Sequence, residues 1–300
     1  MLKIAFNDYY VQPLPEGHRF PMDKYDLLPK QLLHEGTVEE DAFFSPEVIN
    51  HQHVLGVHDE NYFNELITLK IDKKSQRKSG FPHNERLIMR EQIIMEGTRK
   101  CAAYALEFGI SMNIAGGTHH AYTNRGEGFC LLNDQAIAAK WLLNQKKASQ
   151  ILIIDLDVHQ GNGTAEIFKN TPEVFTFSMH GENNYPLKKE NSDLDVALPD
   201  GTRDKMYLNL LEKHLDQILT NITPDFLFFQ SGVDIIDTDK LGRLDISLKG
   251  CRQRDEFVFR LAKQMNIPIV VSMGGGYSPE IKKIIEAHAN TYRTAQQIFF

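Results

Sequence analysis

Asp155, Asp157 and His159 recur at every second position directly after the apolar run Ile151-Leu152-Ile153-Ile154. On an extended backbone, alternate residues point to one face, so two carboxylates and an imidazole would gather at the end of a buried strand. Polar residues leaving a sheet give the same pattern on the surface. Burial separates the two readings, because an unpaired carboxylate in apolar surroundings is costly and calls for a positive partner. Asp157 and His159, joined by Asp234 from Ser231-Gly232-Val233-Asp234, would offer one Zn²⁺ two negative charges and a neutral nitrogen. Three protein ligands with a position left open is the arrangement of catalytic zinc, whereas structural sites are closed by four ligands, usually including cysteine. None of the cysteines, Cys101, Cys130 and Cys251, stands beside these acids.

Two further segments could serve the same chemistry. His119-His120 follows Gly116-Gly117-Thr118. Adjacent histidines are often plain loop residues, but next to a metal they suit proton transfer, provided a partner orients each ring. Asp155 and Asn162 are candidates for that orienting role. Gly274-Gly275-Gly276-Tyr277 is too irregular for a dinucleotide fingerprint. Its glycines, Gly275 among them, would let the backbone approach a substrate channel, and the Tyr277 hydroxyl could donate to an oxyanion.

Each of these segments follows a candidate strand: Met112 to Ala115, Ile151 to Ile154, Phe226 to Gln230, and Ile267 to Ser272. Val174 to Ser178 has the same apolar signature, and Met1 to Phe6 reads as a first core strand rather than a secretory signal. Helical periodicity lies between them, from Leu87 to a stop at Gly109, from the caps Asn133-Asp134 onward, from Asp204 to Thr220, and from Ser247 to Met265. Strands alternating with helices imply a parallel sheet, whose ligands collect beyond the carboxyl ends of the strands. The polar stretch Lys70 to Asn84 reads as a surface loop. No repeat or linker interrupts residues 1–300, so one domain is expected. A net charge of −7 gives no basic footprint for nucleic acid, and no apolar run is long enough to span a membrane. An odd number of scattered cysteines suits buried thiols in a reducing cytoplasm.

Gly117-Thr118-His119-His120, Gly128-Phe129-Cys130, the run Asp155 to Gly163 and the turn to Tyr277 resemble the histone deacetylase family. The resemblance runs from Lys3 to about Tyr277. Val57-His58, Tyr62 to Leu66 and Asp239 to Ser247 are similar to class IV members in particular. It implies the arginase/deacetylase fold, an eight-stranded parallel sheet with helices on both faces, and one zinc held by Asp157, His159 and Asp234. His120 would be the general base and acid, His119 its electrostatic companion, and Tyr277 the group that polarises the scissile carbonyl. Gly128 and Phe129 would form one wall of the acyl channel and Tyr185 the other. A potassium ion is implied near Asp155, with Ser178, Met179 and the backbone around Asp157 and His159.

The implied reaction is cleavage of an acylated lysine side chain on a protein or peptide. An acetylpolyamine hydrolase is the alternative within the family, and a silent acyl-lysine-binding protein the alternative outside catalysis. A two-metal arginase is disfavoured, because Gly161 and Gly232 stand where its further carboxylates belong. Asn162 replaces the aspartate of class I members, so His120 would be oriented by a neutral partner. Thr118 replaces the apolar residue or glycine usual before the histidine pair.

Overall fold

The computed structural model describes residues 1–300. Its strands are β1 (Lys3–Ala5), β2 (Phe43–Phe44), β3 (Ile110–Asn113), β4 (Ile151–Asp155), β5 (Val174–Gly181), β6 (Leu194–Leu198), β7 (Phe226–Gln230) and β8 (Ile269–Ser272). The helices are α1 (Lys24–His34), α2 (His51–Leu55), α3 (Glu60–Ile67), α4 (Lys73–Ser79), α5 (Glu85–Phe108), α6 (Asp134–Asn144), α7 (Asn162–Phe168), α8 (Asp204–Asn221), α9 (Leu248–Met265) and α10 (Ile281–Phe299).

The strands form one sheet in the order β2-β1-β3-β8-β7-β4-β5-β6, and every pairing is parallel. Every residue of β3, β4, β7 and β8 is buried, as expected for strands covered on both faces. The helices pack in two groups, α5 with α6, and α1, α10, α9 and α8 in succession. The apolar spacing of α5 explains its placement: Ile94, Thr98, Cys101 and Ala105 lie on its buried side. Asn84 caps its first turn, and Gly109, at φ 84°, ends it. Asn133 and Ser247 likewise cap α6 and α9 through their side chains. No helix is long and apolar enough to cross a membrane.

The fold corrects the reading of Lys70 to Asn84 as a loop, because α4 lies inside it. Asp72 accepts from the Lys74 and Ser75 amides and Gly80 closes the helix at φ 82°, a start and a stop that the polarity of the segment obscured. Only Ser79 of that helix is buried, so there was no apolar stripe to see. The third strand starts earlier than expected and ends at Asn113, and β8 starts later, at Ile269, after Pro268, which has no amide to donate. β2, β6 and α10 carry no expectation from sequence; β2 is two residues long, too short for any periodicity.

Candidate active site and metal centre

The central strands β3, β8, β7 and β4 are neighbours in the sheet, and each carboxyl end delivers one of the chemical segments. After β4, the Asp157 Oδ1 and Asp234 Oδ2 atoms lie 3.0 and 3.1 Å from the same nitrogen, His159 Nδ1. The ligand atoms of these residues all lie within 4.8 Å of one another, and all three residues are buried. One ring nitrogen thus faces two carboxylates, which a single N–H serves only as a weakened, shared hydrogen bond. Tetrahedral ligands at about 2.0–2.2 Å from an ion would stand roughly 3.3 Å apart, so the spacing fits a cation at the common point. Electrostatics agree: burial, reinforced by Asp157, pushes the Asp234 carboxyl up to about 7. Asp157 goes the other way, since the His119 and His159 rings outweigh its burial and hold it well below the usual range.

The orienting hydrogen bonds are specific. His119 Nδ1 lies 2.7 Å from Asp155 Oδ2, and His120 Nδ1 lies 2.6 Å from Asn162 Oδ1. The Asn162 amide is fixed in turn, because its Nδ2 donates to the Tyr122 hydroxyl at 2.9 Å. Its carbonyl therefore faces His120, whose Nδ1 must donate, leaving Nε2 with a free lone pair. Burial, followed by the nearby His119 and His159, holds His120 well below its ordinary pKa. Burial also opposes charge on His119, but the carboxylates of Asp155 and Asp157 outweigh it and raise that ring. The neighbours thus differ, one neutral and one inclined to be cationic. Their ring centroids are 4.1 Å apart.

Tyr277 sits between the Phe129 and His159 rings, at 6.0 and 6.3 Å. Burial and the acids Asp234 and Asp157 keep its hydroxyl protonated, hence a donor. Gly128 adopts φ 53°, and a Cβ there would meet His120 Cδ2 at 2.6 Å and Tyr185 at 3.2 Å. The Tyr185 ring stands edge-on to His120 at 4.9 Å, so Gly128, Phe129 and Tyr185 surround the histidine from the solvent side. Gly275 donates to Asp157 Oδ2 at 2.8 Å, and a side chain there would collide with the Asp234 carboxylate. Asp155 and Ser178 are cross-strand neighbours on β4 and β5, with Met179 next in line. Both oxygens of Asp155 are engaged, by His119 and by the Asp157 amide.

Several residues that hold this arrangement, Asp134, Arg254 and Lys24 buried and Asp239 half-buried, were given no site role from sequence. Asp134 was read as a cap, yet it accepts from Thr118 N and Oγ1, from Thr98 Oγ1 and from Ser272 Oγ. It thereby pins the turn before the histidines, and the hydroxyl of Thr118 is accounted for. Asp239 accepts from the Tyr277 amide at 2.5 Å. Arg254 donates to the Leu156 and Gly232 carbonyls and to Ser231 Oγ, tying the β4 and β7 loops together. Lys24 Nζ is wholly buried and donates to the Gly274 carbonyl at 3.1 Å. Burial lowers it to about 8, against the pull of Asp234 and Asp157. These partners lie far away in sequence, and no local spacing signals them.

The chain matches the histone deacetylase domain over residues 18–292. It belongs to the histone deacetylase family. Among its relatives, an uncharacterized protein of Picosynechococcus sp. is 39% identical over 296 residues, covering 99% of each chain. Histone deacetylase 2 of Arabidopsis thaliana is 31% identical over 277 residues, 89% of this chain and 72% of that protein. The crystal structure of an HDAC homolog complexed with SAHA superposes with a TM-score of 0.85 at 24% identity, covering 99% of this chain and 84% of that one. That likeness is one of fold. Within this histone deacetylase family member, the convergent residues line an inner cavity of about 30 Å³, bounded by Gly117, His120, Phe129, His159, Gly275 and Tyr277 among others. It shares His120, Gly128, Phe129, His159 and Tyr277 with an outer pocket of about 270 Å³.

Proposed function

We propose that the chain is a zinc-dependent deacylase that hydrolyses the amide of an acylated lysine. The observation that carries this reading is the convergence of Asp157, His159 and Asp234 on one point, beside His120 and Tyr277, which line the same small cavity as Asp157 and His159. Asp157, His159 and Asp234 would hold the zinc, which supplies Lewis-acid polarisation of a carbonyl and lowers the pKa of water when bound. His120 Nε2 takes the proton of the attacking water as its oxygen bonds to the carbonyl carbon. Asn162 keeps that nitrogen aimed inward. Tyr277 donates to the oxygen that gains negative charge, and Asp239 holds its backbone in place. His119, paired with Asp155, adds positive character beside the reacting atoms. His120 then returns its proton to the departing nitrogen as the C–N bond breaks, giving a carboxylic acid and a free amine.

A potassium ion would be held near Asp155, Ser178 and Met179, with one lone pair left on each Asp155 oxygen beside the bonds to His119 and the Asp157 amide. Buried, unbridged cysteines suit a reducing cytoplasm, where we place the protein. The reading is tested with acetyl-, octanoyl- and myristoyl-lysine peptides and acetylputrescine, with and without a hydroxamate chelator, alongside metal analysis of the purified protein. Close to one zinc per chain and chelator-sensitive turnover that His120→Ala abolishes, with zinc retained, are expected. Turnover unchanged in His120→Ala would remove that residue from the mechanism.

A further inference from the structure

The chain as a whole is acidic, with a net charge of −7, but the pocket outside its catalytic cavity has the opposite sign. Arg19, Lys78 and Arg243 line that pocket, and no aspartate or glutamate does. Three carboxylates flank it, and all are engaged: Asp239 accepts from the Leu241, Gly242 and Tyr277 amides. Asp200 pairs with Arg243 at 3.3 Å. Glu127 accepts from the Tyr185 hydroxyl at 2.8 Å and from Arg125 Nε at 2.9 Å. Arg19 and Lys78 are exposed and form no ion pair.

These cations do not sit on a loosely attached loop. The Arg19 guanidinium lies 5.0 Å over the Phe129 ring, while the adjacent His18 reaches the Gly80 carbonyl at 2.9 Å and stacks on Phe81. Lys78 stands in the last turn of α4, where its carbonyl accepts from Gly128 N at 3.1 Å and that of Ser79 from Phe129 N at 2.7 Å. The backbone under both charges is thereby tied to the wall that encloses His120.

We propose that this mouth selects acyl-lysine substrates flanked by acidic residues, whose carboxylates meet Arg19 and Lys78 while the acyl-lysine side chain reaches inward. A basic tail or an acylated polyamine would bring ammonium groups against the same cations. The reaction itself rests on the hydrolase reading above; the charge preference rests on the mouth alone. Each exposed pair contributes modestly and is screened by salt, so the preference is a sum of small attractions and of steering at encounter.

The test uses acetyl-lysine peptides of equal length with glutamate, glutamine or lysine on both sides of the modified residue, assayed on the zinc-loaded enzyme at low and high salt. The glutamate peptide is expected to exceed the lysine peptide by about tenfold in kcat/KM at low salt, with the ratio collapsing at high salt. In the double variant Arg19→Gln, Lys78→Gln that ratio should fall to near one; being internal to each protein, it does not depend on the yield of folded enzyme. A lysine peptide turned over as well as the glutamate peptide, or a ratio unchanged in the double variant, overturns the inference while leaving the hydrolase reading intact. If no peptide is hydrolysed, the hydrolase reading fails instead, and fluorescence anisotropy with the same labelled peptides decides the mouth. Tighter, salt-sensitive binding of the glutamate peptide sustains the inference, and equal binding refutes it.

Discussion

Acid should loosen this fold through His58. The ring is 3% exposed and bridges two segments of the site: its Nδ1 lies 3.0 Å from the Tyr122 carbonyl, and the Asn133 amide donates to its Nε2 at 3.0 Å. That second bond fixes the neutral tautomer, since a proton on Nε2 would face an N–H. Burial, opposed by the Tyr122 and Thr123 carbonyls, lowers the ring from 6.5 to about 4. Below pH 6.5 the unfolded chain therefore binds a proton that the folded chain refuses. Stability from this group is complete above pH 6.5 and is lost as the pH falls toward 4, by about 3 kcal/mol at roughly 1.4 kcal/mol per pKa unit. Urea denaturation of the wild type and of His58→Gln across pH 7.5 to 4 isolates the effect as a difference between profiles. The wild type starts more stable and should converge on the variant as the pH falls, with the steepest approach between about 6.5 and 4. Parallel profiles would refute the reasoning.

Three other outcomes follow from the same geometry. On the proposed mechanism Tyr277→Phe would remove one oxyanion donor, and single-turnover kinetics should show a loss of about 10²–10³ in rate, with substrate affinity changing far less. Gly275→Ala places a methyl group against the Asp234 carboxylate and 2.9 Å from Asp157 Oδ2; competition with a chromogenic chelator should report zinc affinity at least about tenfold weaker, with the circular-dichroism spectrum unchanged. Arg254→Met leaves the wholly buried Asp255 carboxylate without its cation, and chemical denaturation should register a loss of about 3–5 kcal/mol, part of it regained in the double variant Arg254→Met, Asp255→Leu.

Much of the site could be read locally because its chemistry follows strand ends. The alternation Asp155, Asp157, His159 needs only the two-residue repeat of an extended chain, and the caps Asn133-Asp134 mark a helix within a few residues of themselves. Tyr185 was placed in the acyl channel through family resemblance alone, and nothing in its own neighbourhood of sequence marks it. Lys70 to Asn84 misled because a helix with a single buried residue has the composition of a loop. Asp134 was read only as a helix cap and Asp239 only within the class IV resemblance, while Lys24 and Arg254 were passed over, because a charged residue destined for burial is indistinguishable from a surface one until its partner is known.

Residue order thus determined which groups could bind a metal and move protons, since that depends on side-chain type and on spacing along one strand or turn. Only the tertiary structure decided that they meet. β8, late in the chain, inserts between β3 and β7, which brings Tyr277 and Gly275 against Asp157, Asp234 and His120. Strand order is set by which faces bury together over long sequence separations, and no local pattern records it. The sign of the mouth was equally hidden: net charge sums over the whole chain, whereas a substrate meets the few side chains that folding gathers around one opening.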